Sequence, residues 1–379
     1  MLSVDAPGKR KADIDLGNAA VLPGLVNAHT HLDLTGLRRK VPPAPDFTQW
    51  LRRVIEHRLS RTLEQVEEDI QQGLEESAAL GTTLLGDISA RGASWLVLAT
   101  SPYRGRAVVF YELLGLPKTR AHQAWAQACS WLRVRPATPT CRPGLSPHAP
   151  YSVRRSLFRA AANLARQRNL PVATHLAETQ QELELLQERR GPFVDLLEEV
   201  DAWSAEGLVE GVGEILNLNT GVAHAAAVHA NYLDPATPVP ANHAIIYCPR
   251  THAAFGHEPH PVQKFIASGV RVALGTDSLA SNPDLDVLAE ARFLHQKMPG
   301  LSGDVILRMA TLSGAEALGW QAETGSLVAG KSADLVVVPL PQEDDHNPYH
   351  LLWESTLSVR HVLMRGAWTS SAPEEPVRP

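Results

Sequence analysis

At 379 residues the chain is too long for one small core, and it suits either a large barrel domain or two ordinary domains. Its 44% hydrophobic and 20% charged residues are those of a globular protein, and a net charge of −6 removes any electrostatic motive for binding nucleic acid or an anionic membrane. Cys129, Cys141 and Cys248 form no C-x-x-C pair or disulfide framework, the N-terminus lacks the apolar core of a signal peptide, and no run reaches the roughly 18 to 20 apolar residues that span a bilayer, so the expected compartment is the cytoplasm.

The first apolar run, Val21 to Ala28, reads as a strand ending at His29-Thr30-His31. A helix is predicted over Leu63–Leu80, with Thr62 as its N-cap and Gly81 beyond its last turn. Strands follow at Thr82–Ile88, Arg106–Leu113 and Gly144–Pro147, then a helix at Ser152–Asn169, a strand at Pro171–His175 and a helix at Gln180–Arg190. Further strands are predicted at Thr220–His224, Ala244–Tyr247 and Val270–Leu274, and a helix at Asp284–Gln296. Eight strands, each followed by helix, call for parallel pairing through right-handed crossovers, and an eight-stranded (β/α) barrel closes such a sheet economically. A doubly wound open sheet would need a Gly-rich phosphate turn after its first strand, and none is present.

The ends read differently. Leu16–Leu22, GSLVAGKSADLVVVP and SVRHVLMRGAWTS are β-like, with turns and no helices between them. They are expected to form a small β-domain from residues 1–24 and 324–379, leaving 25–323 to the barrel. Pro339–Tyr349 reads as a loop.

The chemistry gathers at strand ends. In a strand, residues i and i+2 share a face, so His29 and His31 can converge on one metal, although two unremarkable histidines at a strand end would look the same. Downstream, ATHLAE ends a strand at His175 with Glu178 three residues on, GVAHAAAVHANYLD carries His224 and His229, and VALGTDSLASN places Asp277 after an apolar strand. The C-terminal ends of barrel strands are where catalytic groups collect. Three imidazoles, one carboxylate and an open position make a catalytic site for zinc or iron.

The strings PGLVNAHTHLD, SPHAPYS, THLAET, VHANYLD, GTDSLASN and GSLVAGKSADLVVV resemble, in order and spacing, the amidohydrolase superfamily. The similarity is to its mononuclear deaminase and chlorohydrolase branch and covers nearly the whole chain. This resemblance implies a (β/α)8 barrel of the TIM type, a terminal β-sandwich, and a hydroxide on the metal attacking an sp² carbon. It implies that His29, His31, His175 and Asp277 hold one divalent ion, zinc or iron, with Asp277 also orienting the attacking water. Glu178 matches a carboxylate that shuttles a proton to a ring nitrogen. His229 matches a histidine beside the reacting centre and is preferred to His224 because Asn231-Tyr232-Leu233 follows it; His148 matches a substrate-contacting histidine. A small-molecule substrate and a homodimer are family-level expectations.

One departure from the family pattern is Cys248-Pro249-Arg250-Thr251-His252, where relatives often carry Asn-Pro-x-Ser-Asn. It puts Arg250 where substrate is held, and a pocket-facing Arg250 would pair with a carboxylate or phosphate. The expected activity is hydrolytic deamination of an amino-substituted N-heterocycle, adenosine-like, with Arg250 favouring a carboxylated nucleoside such as aminodeoxyfutalosine. A chlorohydrolase or a cyclic amide hydrolase using the same site is the alternative. A non-catalytic assembly protein is disfavoured, because every ligand and acid–base position is filled.

Other signals have plainer readings. Gly325 to Ser332 fits G-x-x-x-x-G-K-[ST], but the β-branched run after it cannot open the helix a phosphate loop needs, so it reads as a turn. The acidic stretch from Glu178 to Glu199 reads as a solvated helix face. His252, His257 and His260 read as structural or solvent-facing more than as substrate contacts.

Overall fold

The computed structural model describes residues 1–6, 8–10, 13–342 and 347–369. The first apolar run breaks at Pro23-Gly24 into two strands, β1 (Ala19–Pro23) and β2 (Leu25–Thr30), which enter different sheets. Glycine is required at the break, because a Cβ on Gly24 would lie 2.2 Å from the Thr83 hydroxyl. From β2 the chain adds β3 (Thr82–Ser89), β4 (Arg106–Leu113), β5 (Cys141–Pro147), β6 (Val172–Leu176), β7 (Ala225–His229), β8 (His243–Tyr247) and β9 (Arg271–Leu274). They pair in parallel and in chain order. Thr30 bridges Asp277, and the amides of Thr276 and Asp277 both donate to the His29 carbonyl at 3.1 Å, so the last strand meets the first and the sheet curls into a barrel. Val26 and Ala28, Leu84 and Ile88, and Val108 and Phe110 alternate on one face of their strands and pack with Ala173, Ala226, Ala244, Leu318 and Trp320 in a continuous buried cluster.

Most predicted helices appear with shifted ends. Thr62 and Gln65 form a capping box at the start of Leu63–Ala79, and Asn169, in the left-handed region, ends Arg155–Arg168. Asp286 caps Val287–Lys297 by accepting from the amides of Leu288 and Ala289.

The strand expected at Thr220–His224 is instead β7, five residues later. Gly221, at φ +81°, and the turn bond from Val222 N to Asn219 O hold the earlier segment in a loop, whereas the alanines of β7 fit the crowded barrel wall. His224 thus stands before its strand and His229 at its end, roughly 16 Å apart for five extended residues. The His224 Nδ1 lies 3.0 Å from the Glu316 carbonyl, beneath the barrel and away from the strand ends that carry the site.

Both termini contribute a separate antiparallel sheet in the order β1, β10 (Leu335–Pro339), β11 (His361–Met364) and β12 (Ala367–Trp368). The stretch from Gly325 to Ser332 leads directly into β10, with Gly325 and Gly330 at φ +84° and +91°, so it turns the chain and opens no helix. Of the loop expected at Pro339–Tyr349, residues 343–346 lie outside the described residues, and its end is already helical, since Asn347 caps Pro348–Glu354. Among the described residues no helix is long and apolar enough to cross a membrane.

A buried ion pair ties the sheet to the barrel. Arg106, the first residue of β4, donates from Nη1 to the Asp334 Oδ2 at 2.6 Å, and Asp334 Oδ1 accepts the Arg365 amide at 2.7 Å. Asp334→Ala leaves the Arg106 cation buried alone and is expected to destabilise the fold by about 3–5 kcal/mol in denaturant unfolding. A loss near zero would mean that water already serves this arginine.

Candidate metal centre

The ends of β2, β6, β7 and β9 bring four imidazoles and two carboxylates into one pocket. Potential ligand atoms of His29, His31 and His175 lie within 4.8 Å of one another, as do those of His29, His229 and Asp277. The Asp277 Oδ1 is 3.4 Å from His29 Nε2 and 3.7 Å from His31 Nε2. His31 Nε2 and His175 Nε2 are 3.2 Å apart. All these residues are buried.

Several observations fit this donor set to a cation. Among the described residues His29 has no hydrogen-bond partner at either ring nitrogen, an arrangement that costs the desolvation of both unless something binds there. His175 Nδ1 lies 3.0 Å from the His148 carbonyl; a proton on Nδ1 makes that bond and leaves a lone pair on Nε2, aimed at His31. Burial pushes His31, His175 and His229 well below the usual histidine range, and neighbouring histidines push the same way, so the rings are neutral as ligands must be. The two Nε2 atoms meet at 3.2 Å, near enough for one cation to be held by both rings once their lone pairs face it.

The surrounding residues fix the carboxylates. Ser281 donates from Oγ to Asp277 Oδ2 at 2.7 Å, leaving Oδ1 for the histidines. Ser281→Ala is expected to weaken metal retention about 10- to 100-fold, read as residual metal after dialysis against graded chelator. Unchanged retention would count against Asp277 as a ligand. Glu178 sits two residues past β6, with Oε1 3.4 Å from His229 Nε2. Its loop is held by Glu182, whose carboxylate accepts the amides of Ala177 and Glu178 at 2.9 and 3.1 Å. Asn231 Nδ2 adds a bond to the Glu178 carbonyl at 3.0 Å. Burial raises Glu178 well above the ordinary carboxyl range, and the nearby charges of Asp277 and Glu182 raise it further.

The strand ends turn sharply. Ala177, His229 and Asp277 have φ of +51°, +66° and +55°, a strained choice for residues with a Cβ and one often found where functional side chains must be aimed. The neighbouring backbone enforces it: Ala230 N donates to Leu176 O, Tyr232 N to Ala177 O and Asp277 N to His29 O. His260 Nε2, 2.9 Å from the His229 carbonyl, braces another of these turns.

His148 joins the pocket, with Nδ1 2.6 Å from the Ser152 hydroxyl. Arg250 does not. Its Nε donates to the buried Glu290 at 2.7 Å and its Nη2 to Asp284 at 2.6 Å, and it is absent from the pocket lining. The expectation that it meets a substrate anion is therefore corrected, because two carboxylates from the next loop and helix capture the guanidinium first. His252 and His257 face the Glu258 carbonyl and the Tyr232 hydroxyl at 2.9 and 3.2 Å, away from the lining.

The pocket also contains groups absent from the sequence reading. Phe47, Trp50, Leu51, Val54 and Arg58, all from the helix Phe47–Ser60, form one wall. Their spacing of three and four residues traces a single helical face, a signal present in DFTQWLRRVIEHR. Glu112, at the end of β4, lines the same pocket. Arg58 Nη1 donates to it at 3.0 Å, and Arg58 Nη2 approaches Asp33 Oδ2 at 3.2 Å.

Known proteins resemble this chain over most of its length. The Amidohydrolase family matches residues 20–368. A 5-methylthioadenosine/S-adenosylhomocysteine deaminase of Moorella thermoacetica is 33% identical over 346 residues, covering 87% of this chain and 75% of the relative. An aminodeoxyfutalosine deaminase of Deinococcus radiodurans is 32% identical over 322 residues, covering 79% and 74%. Among solved structures, a zinc-bound adenosine deaminase of Xanthomonas campestris superposes with a TM-score of 0.77 at 26% identity, covering 96% of this chain and 83% of that one. The aminofutalosine deaminase of Helicobacter pylori, at 23% identity and a TM-score of 0.80 over 93% and 87% of the two chains, supports the fold.

Proposed function

The chain belongs to the amidohydrolase family and is a hydrolase of carbon–nitrogen bonds, and from that premise we propose that it deaminates an adenosine-like nucleoside. His29, His31, His175 and Asp277 hold one divalent ion, zinc or iron. The observation that carries the reading is the pairing of Glu178 with His229, at 3.4 Å, beside a histidine–aspartate cluster in a pocket with an aromatic wall.

A divalent ion at these ligands would supply water activation, lowering the pKa of a bound water to roughly 7. The protein's own groups do the rest. Glu178, buried beside His229, would take the proton that the attacking water gives up and pass it to a ring nitrogen, which makes the neighbouring carbon electrophilic. His229, neutral in its buried position, receives or returns a proton as the amino group leaves as ammonia. Phe47 and Trp50 offer flat apolar surface to a heterocycle, and His148 stands within reach of its edge.

The names of the relatives support a nucleoside carrying a 5′ substituent. Arg250 no longer argues for a carboxylate on it. The test is ammonia release by the zinc- or iron-loaded chain across aminopurine nucleosides, aminopterins and aminotriazines, with Asp277→Asn as the blank. Release confined to the nucleosides supports the reading. Release from triazines alone, or none at one metal per chain, overturns it.

A further inference from the structure

The pocket contains a carboxylate that this reaction does not use. Glu112 is buried, its side chain only 2% exposed, and it lines the pocket that holds Glu178 and His229. Its Oε2 accepts from Arg58 at 3.0 Å, whereas its Oε1 is buried with no hydrogen-bond partner among the described residues. Arg58 meets only one of the two oxygens: its Nη2 is turned to Asp33, 3.2 Å away, and to His31 Nδ1 at 3.5 Å, and its Nε, buried as well, bonds to neither carboxylate. A buried carboxylate oxygen left unmet is costly, and in a substrate pocket the missing donor is most simply a group on the substrate.

Charge narrows the class of that donor. Among the described residues Arg58 is the only lysine or arginine in the pocket lining, and two carboxylates already share it. An anionic group against this wall would find no free cation and a second negative charge beside it. A hydroxyl suits it, since it can donate to Oε1 without adding charge.

We propose that Glu112 is a specificity-determining residue whose Oε1 accepts a hydrogen bond from a sugar hydroxyl of the substrate, with Arg58 as the positioning residue that holds its carboxylate. The assignment rests on the nucleoside reading above and deepens it.

The experiment compares kcat/KM for adenosine, 2′-deoxyadenosine and 3′-deoxyadenosine with the zinc-loaded full chain, wild type and Glu112→Gln. In the variant, the donors of Arg58 draw the amide oxygen toward themselves and put an NH₂ group where Oε1 stood, which removes the acceptor. The wild type is expected to lose about ten- to a hundredfold on one deoxynucleoside, the usual worth of a hydrogen bond to a charged group. In Glu112→Gln the same comparison should shrink to about twofold, because adenosine alone loses a contact.

Wild-type values within about twofold for all three substrates overturn the assignment. So does an equal loss on all three in the variant, down to complete inactivity, which marks a structural role. No ammonia from any of them with the wild type overturns the nucleoside reading itself, and the hydroxyl assignment falls with it.

Discussion

Glu178→Gln is expected to lower kcat for ammonia release by about 10²- to 10⁴-fold, the range for removing a positioned acid–base group. Glutamine matches glutamate in size and can still face His229, but it cannot pass a proton. The position is unusually demanding for a carboxyl. It is buried, with Asp277 and Glu182 nearby, and each of these raises its affinity for a proton. A metal ion in the cluster would oppose that tendency, placing Glu178 between a cation that favours its ionised form and surroundings that favour the acid. That balance is what a group needs in order to take up and release one proton per turnover. Metal content and thermal stability of the variant should match the wild type, since Glu182 and Asn231 hold the loop through its backbone. Turnover within a few-fold of wild type, measured on the best nucleoside, would mean that another group carries the proton.

Asp277→Asn is expected to abolish turnover by at least about a hundredfold and, unlike Glu178→Gln, to loosen the metal as well. Three neutral imidazoles leave a divalent ion with its full charge in a buried site, where an uncompensated charge is strongly disfavoured. The Asp277 carboxylate removes one unit of that charge, and asparagine removes none. Metal per chain after chelator dialysis reads this directly. A second measurement is the melting temperature with added zinc, because an ion bound at a hundred times its Kd stabilises the folded chain by about 2.7 kcal/mol. The wild type should gain that stability and the variant little of it. A variant that keeps one tightly held ion would place Asp277 outside the ligand set and bring His229, which shares a triad with His29 and Asp277, forward as the alternative ligand.

The two substitutions therefore separate roles that static geometry leaves close together. Glu178→Gln should be slow with its metal retained, and Asp277→Asn slow with its metal weakened. Ser281→Ala, one bond further out, should resemble a mild form of the second.

What the sequence determined by itself is local. His29-Thr30-His31, ATHLAE and GTDS carry their chemistry in a few consecutive residues, and strand periodicity alone says which of them share a face. Eight apolar runs separated by helical patterns likewise dictate parallel pairing, because crossover connections leave few other ways to bury them. Local pattern is insufficient where the outcome depends on competition between distant groups. Thr220–His224 and Ala225–His229 are comparable β-formers in isolation, and only the crowded barrel wall and the turn at Gly221 select the second. Arg250 lies on the active-site side of its strand, yet Glu290 and Asp284, 40 and 34 residues further on, take its guanidinium out of the pocket. Arg58 and Glu112, 54 residues apart, meet only because the helix Phe47–Ser60 leans across the end of β4. Metal ligands are set by backbone geometry that repeats in every barrel strand, whereas the partner of a long charged side chain is whichever opposite charge the tertiary fold brings within reach.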